Sequence, residues 1–94
     1  MVEIEWASTA EKDLYEVIDY IAQDSPQYAF FFTEQVRKKI ENLRSFPQLG
    51  RKVPELEDPN IRELIFRNYR LIYRSFEEKI QIIRILHGSR LLNL

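Results

Sequence analysis

Residues 61–87 read IRELIFRNYRLIYRSFEEKIQIIRILH, and how this stretch breaks into segments decides the fold. Three runs, 61–66, 69–76 and 79–87, are rich in β-branched and aromatic residues, which favour strands. They are separated by Arg67-Asn68 and by Glu77-Glu78. Two residues suffice to reverse an antiparallel chain but not to cross over to a parallel neighbour. The spacing therefore predicts a three-stranded antiparallel meander.

Upstream, Val2, Ile4 and Trp6 alternate with Glu3 and Glu5, the period of a half-buried strand. The period then changes to that of a helix, with Ala10, Leu14, Val17, Ile18 and Ile21 on one stripe from about Thr9 to Gln23. Ser8 with Glu11 has the spacing of a capping box. Asp24-Ser25-Pro26 ends this helix and starts another: Ser25 is placed to cap it and Pro26 to occupy its first position. Ala29, Phe32, Val36, Ile40 and Leu43 form the second apolar stripe, which Pro47 ends. So short a link makes the helices an antiparallel hairpin. Phe46 to Asn60 holds three of the four prolines and reads as a loop, with an extended piece at Arg51 to Pro54. The whole is an α+β domain spanning residues 1–94, with the helices on one face of the sheet and the other face open to a ligand or partner.

Ninety-four residues bury roughly 60 to 70% of the unfolded surface, enough for one core. There is no cysteine, so disulfides and thiolate chemistry are excluded, and one histidine makes a metal site improbable. No metal or cofactor is expected. No run is long and apolar enough to span a bilayer, and the first residues lack a signal-peptide pattern, so the expectation is a cytoplasmic protein.

The formal net charge of -1 conceals an asymmetry. Residues 1–50 carry five Lys/Arg against nine Asp/Glu, whereas residues 51–94 carry nine against six. Arg67, Arg70 and Arg74 fall within eight residues. On a strand Arg70, Ile72, Arg74 and Phe76 share one side, Arg62, Leu64 and Phe66 form a similar mixed row, and Arg84 and Arg51 can add to them. Arginines interleaved with aromatics suit single-stranded nucleic acid, whose phosphates take bidentate hydrogen bonds and whose bases stack. The alternative is a solvated, charged sheet face that discourages edge pairing. The pattern of residues leaves both open.

Four stretches in order, WASTAEKDLYEVIDYIAQDSPQYA, LRSFPQLGRKVPE, IRELIFRNYRLIYR and IIRILHGSR, resemble the RelE/ParE superfamily of toxins from bacterial type II toxin–antitoxin modules, also called plasmid stabilisation systems. The resemblance covers nearly the whole chain. It implies the superfamily's fold, a helical hairpin on an antiparallel sheet, and a growth inhibitor neutralised by a cognate antitoxin. Two activities are implied: RelE-like cleavage of mRNA on the ribosome without metal, and ParE-like inhibition of DNA gyrase without enzymatic action. A third possibility is a non-toxic, antitoxin-binding member of the fold.

For RelE-like cleavage the resemblance marks Arg70 and Arg90 as catalytic. Ile61 and Glu63 stand where that branch has lysines, and its tyrosine in a longer C-terminal helix has no counterpart in residues 1–94. Arginine stays protonated, so it stabilises a phosphorane but moves no proton. Lys52, Tyr69, Tyr73 and His87 are the substitutes available for that task. The ParE-like pattern is matched by Gly50-Arg51, Pro54-Glu55, Arg62-Glu63, Tyr69-Arg70 and His87-Gly88-Ser89-Arg90. Arg51, Arg62, Arg70 and Arg90 are thus the candidates for binding target or antitoxin. Glu55 and Glu63 are equally candidates to pair with a neighbouring arginine and set register.

Overall fold

The computed structural model describes residues 1–92. In chain order it contains β1 (Glu3–Trp6), α1 (Ser8–Asp24), α2 (Pro26–Glu41), a 3-10 turn (Asn42–Arg44), β2 (Arg51–Lys52), β3 (Ile61–Phe66), β4 (Tyr69–Ser75) and β5 (Lys79–His87). The three strands of the meander fall within a residue of their predicted limits. The sheet has the order β1-β5-β4-β3-β2. The meander is therefore its centre, extended by β1 lying parallel to β5 at one edge and by β2 antiparallel to β3 at the other. The two helices and strands β2 to β4 all lie between β1 and β5 in the chain, which gives the long connection that a parallel pair requires.

The start of α1 differs from the capping-box expectation. Ala7 is the N-cap, Ser8 is already helical, and no side chain caps the helix. The Ala7 N–H still donates to the Ile82 carbonyl at 2.9 Å, so the chain passes from strand to helix with no free residue between them. At α2 the expectation holds: the Ser25 hydroxyl accepts from the Tyr28 N–H at 3.0 Å and Pro26 opens the helix. Regular α-helix ends at Glu41, before Pro47, and the 3-10 turn follows.

Ala10, Leu14, Phe32, Val36, Ile40 and Leu43 pack on Leu64, Phe66, Leu71, Tyr73, Ile80, Ile82 and Ile85 to make the main core. Phe32 sits at its centre, with ring centroids 5.5 Å from Phe66 and 5.3 Å from Tyr69.

A bulge in β5 shapes the edge of this core. Ile72 pairs with Arg84 and Tyr73 with Ile82, so Ile83 is an extra residue. Helix α1 supplies the missing partners: the Thr9 hydroxyl donates to the Ile83 carbonyl at 2.8 Å, and the Asp13 carboxylate accepts from the Ile85 N–H at 2.9 Å. The same carboxylate takes the Arg84 guanidinium at 2.7 and 3.2 Å. Arg84 is thereby committed to α1 and does not join the arginine row expected on the opposite face.

That opposite face is also less open than its pattern implies. Val53, Ile61, Ile72, Ile83, Leu86 and Leu92 form a second, smaller cluster, with Leu56 packed against it. The loop after β2 and the segment after β5 cover this part of the sheet.

Candidate functional site: an arginine groove

The loop preceding β2 is built around Gly50. Its N–H donates to the buried Tyr73 hydroxyl at 2.9 Å, and its carbonyl accepts from Arg62 at 2.9 Å. A Cβ here would lie 2.6 Å from the Glu63 carbonyl and 2.8 Å from the Tyr73 ring. Only glycine lets the backbone approach so closely. Burial pushes the Tyr73 phenol up from its ordinary value, so the hydroxyl stays neutral and serves as an anchor. This approach brings Arg51 into register with Glu63.

Glu63 is 1% exposed. Its carboxylate accepts from Arg51 Nε at 2.7 Å and from Arg70 Nε at 2.6 Å. Arg70, 5% exposed, also donates through both terminal nitrogens to the Glu55 carboxylate, at 2.6 and 2.8 Å, and to the Arg90 carbonyl at 2.8 Å. The Arg70 hydrogen bonds hold the Glu55 carboxyl at about 2, and Glu55 in turn pushes the Arg70 guanidinium up from its already high value. A buried charge is tolerable only when paired and hydrogen-bonded in this way. The pairing of glutamate with arginine that the sequence left open is thus realised twice on Arg70.

Around this network lies an open groove of about 730 Å³, lined by Arg51, Arg67, Tyr69, Arg70, His87 and Arg90, with Ile65, Pro54 and Leu91 as apolar wall. Arg67 occupies the first position of the two-residue β3–β4 turn at φ 53°, a conformation uncommon for a bulky residue. Its guanidinium lies 5.7 Å from the Tyr28 ring centroid and 5.6 Å from that of Phe66. His87 Nδ1 and the Ser89 hydroxyl are 2.8 Å apart, and the His87 ring meets Tyr69 edge-on at 5.6 Å. Burial pushes the Tyr69 phenol up as well.

Of the four arginines singled out in the sequence, Arg51, Arg70 and Arg90 line this groove, whereas Arg62 does not. Arg62 binds the Gly50 carbonyl and reaches Gln48 at 3.5 Å. It alternates with Glu63 and so faces away from the groove side of β3. Two contributors stand outside those four: Arg67, marked by the run of arginines and by its turn position beside Asn68, and Glu55, marked as a partner for a neighbouring arginine, which the fold assigns to Arg70. Of the residues available to move a proton, Tyr69 and His87 line the groove, while Tyr73 is buried and Lys52 lies on β2 outside it. Among the described residues no group of three or more metal-ligating side chains comes together.

Known proteins resemble the chain over nearly its whole length. Toxin RelE2 of Caulobacter vibrioides is 30% identical over 92 residues, which is 97% of this chain and all of that protein. Among solved structures, a chain of the chromosomal ParDE toxin–antitoxin system from P. aeruginosa superposes with a TM-score of 0.77 at 24% identity, covering 95% of this chain and 98% of the other. A chain of the E. coli DinJ-YafQ complex superposes with a TM-score of 0.57 at 13% identity, covering 99% and 100%. At those identities the likeness is one of fold, two helices against the mixed sheet. The family model described as the ParE toxin of the type II toxin–antitoxin system parDE matches residues 4–92, and the chain belongs to that family.

Proposed function

We propose that this family member is a toxin that arrests growth by inhibiting DNA gyrase through the arginine groove, does not cut RNA, and is neutralised by a cognate antitoxin that covers the groove. The observation that carries this reading is the state of Arg70. Its guanidinium has five N–H donors, and four contacts to Glu63, Glu55 and the Arg90 carbonyl engage its three nitrogens. Two carboxylates beside it repel a phosphate. Arg70 is therefore a poor clamp for a dianionic phosphorane, and its role is to hold the site together.

The remaining cations support docking better than cleavage. Arg51, Arg67 and Arg90 supply fixed charge and hydrogen-bond donors on a wall that includes Ile65 and Leu91. Arginine and tyrosine are enriched among energetically dominant interface residues, and Tyr69 lines the groove with these arginines. The family match to a ParE toxin favours the same target class.

A second reading has its own observation. His87, held by Ser89, stands in the groove with Arg90, the pairing of a potential base with a cation that ribonuclease chemistry asks for. It agrees with the name of the Caulobacter relative. Ribosome and mRNA would then be the partners.

A gyrase supercoiling assay on the purified chain, freed from antitoxin, separates the two. The expected result is lost supercoiling with linear DNA trapped on gyrase. A folded chain that leaves gyrase untouched and cuts mRNA on ribosomes, with cutting abolished by His87→Ala, would overturn the proposal in favour of the second reading.

A further inference from the structure

The segment after β5 carries Arg90, and the way it is held assigns a task to Glu55. Arg90 makes no side-chain hydrogen bond among the described residues, so its guanidinium is available to a ligand. Its backbone is fixed on both sides. The Arg90 N–H donates to the His87 carbonyl at 2.9 Å, closing a turn. The Arg90 carbonyl accepts from Arg70 at 2.8 Å, and two residues later the Leu92 N–H donates to Glu55 Oε2 at 2.8 Å. The Leu92 side chain enters the small apolar cluster beside Val53 and Leu56. Leu91, between these anchors, is 78% exposed.

Both anchors beyond Arg90 converge on one ion pair. Glu55 Oε2 accepts from Arg70 and from Leu92, while Oε1 accepts from the other terminal nitrogen of Arg70. No neutral side chain of the same size offers three acceptor contacts here: an amide replaces one oxygen with an N–H₂ group that points a donor at a donor.

We propose that Glu55 is a positioning residue, whose carboxylate fixes the segment from Gly88 to Leu92 through Arg70 and the Leu92 amide and so determines where Arg90 stands in the groove. This rests on the reading that Arg90 contacts the target. The glutamate of the Gly50-to-Glu55 loop then acts at a distance, by holding a backbone still.

Two measurements on the whole chain, freed from antitoxin and checked for fold by circular dichroism, test it. The first is the rate of trypsin cleavage at Arg90–Leu91, followed by mass spectrometry. Clipped backbone resists cleavage, so Glu55→Gln and Glu55→Ala should each accelerate it by about tenfold or more. Glu55→Gln keeps the size of the side chain and carries the test if the alanine variant fails to fold.

The second is a double-mutant cycle in the supercoiling assay. If Glu55 acts through Arg90, Glu55→Ala weakens inhibition by about the factor that Arg90→Ala does, and the double variant is no weaker than Arg90→Ala. Unchanged trypsin resistance in the Glu55 variants, or losses that multiply in the cycle, would overturn the proposal. Full inhibition by Arg90→Ala would instead sink the role given to Arg90 at the target, and the trypsin result alone would then uphold or overturn the fixing of the segment by Glu55.

Discussion

The two faces of the sheet are closed by different physics. On one, two amphipathic helices deliver a continuous apolar layer, and Phe32 packs between Phe66 and Tyr69 with no charge among the buried residues. On the other, a loop and a short segment deliver, among the described residues, Val53, Leu56 and Leu92 against the strands, and Glu63 and Arg70 are buried beside them. Irregular chain brings little apolar area, so its place must be fixed by directed contacts. The Glu63–Arg70–Glu55 network does so, while desolvation of the charges offsets much of what their attraction contributes. The helix face accounts for most of the stability, and the groove face sets the geometry of the site.

Breaking each face in turn should therefore give similar numbers for unlike reasons. Arg70→Ala leaves the almost wholly buried Glu63 carboxylate with only the more exposed Arg51 as partner and removes the cation from Glu55, and a loss of about 3 to 5 kcal/mol is expected in denaturant unfolding. Phe32→Ala opens a cavity in the main core and should lose about as much, 3 to 5 kcal/mol. The difference appears when the partner is removed as well. Arg70→Met combined with Glu63→Leu deletes both buried charges and should recover most of the Arg70→Ala loss, to within about 2 kcal/mol of the parent, the remainder being the contact of Glu55 with Arg70. No second substitution of that kind restores a Phe32 cavity except one that refills it. If the paired variant is as unstable as Arg70→Ala, the groove network is a source of stability and the contrast between the faces fails.

The close approach at Gly50 sharpens the comparison, because that residue joins the faces. Its N–H reaches Tyr73 in the main core, and its backbone abuts Glu63 on the groove side. Gly50→Ala forces a methyl group against the Glu63 carbonyl and the Tyr73 ring. Overpacking of this kind costs about 1 to 3 kcal/mol. Thermal unfolding measures that loss, and under the proposed function the shift of Arg51 relative to Glu63 should weaken gyrase inhibition further than the instability alone explains.

How much of this was legible in the sequence follows from the range of the interactions. Strand limits were readable because two-residue breaks force hairpins, and α2 because Ser25-Pro26 is a local device. The bulge at Ile83 was not: nothing near Arg84 marks it, and its partner Asp13 lies 71 residues away. Arg84 therefore read as one more cation of a row. Glu55 offered the same difficulty, since only the folded loop brings it to Arg70 and to Leu92. Arg62 reads correctly as sharing a face with Leu64 and Phe66, but those belong to the helix-side core, so its row and that of Arg70 lie on opposite faces of the sheet. Alternation along a strand tells which residues share a face, but the layer packed on that face decides whether a cation there is paired, buried or free.

The smallest effect distinguishes the faces by pH. Glu55 is held at about 2 against an ordinary value of 4.5, chiefly by its hydrogen bonds to Arg70. The unfolded chain thus binds this proton more readily than the folded one, and stability rises with pH between the two values. The contribution is complete above about pH 4.5 and is lost as pH falls towards 2. Discounted for solvent screening it amounts to about 1 to 2 kcal/mol. Among the described residues the main core buries no carboxylate, so acid should loosen the groove face first. Trypsin is inactive there, but pepsin is not, and hydrogen exchange can be quenched from any pH. Between pH 5 and 2.5 the Leu92 amide should lose protection while the amides of β4 keep theirs. Equal loss in both would mean that the segment beyond β5 and the sheet open together, and that Glu55 holds the fold as a whole instead of one piece of its surface.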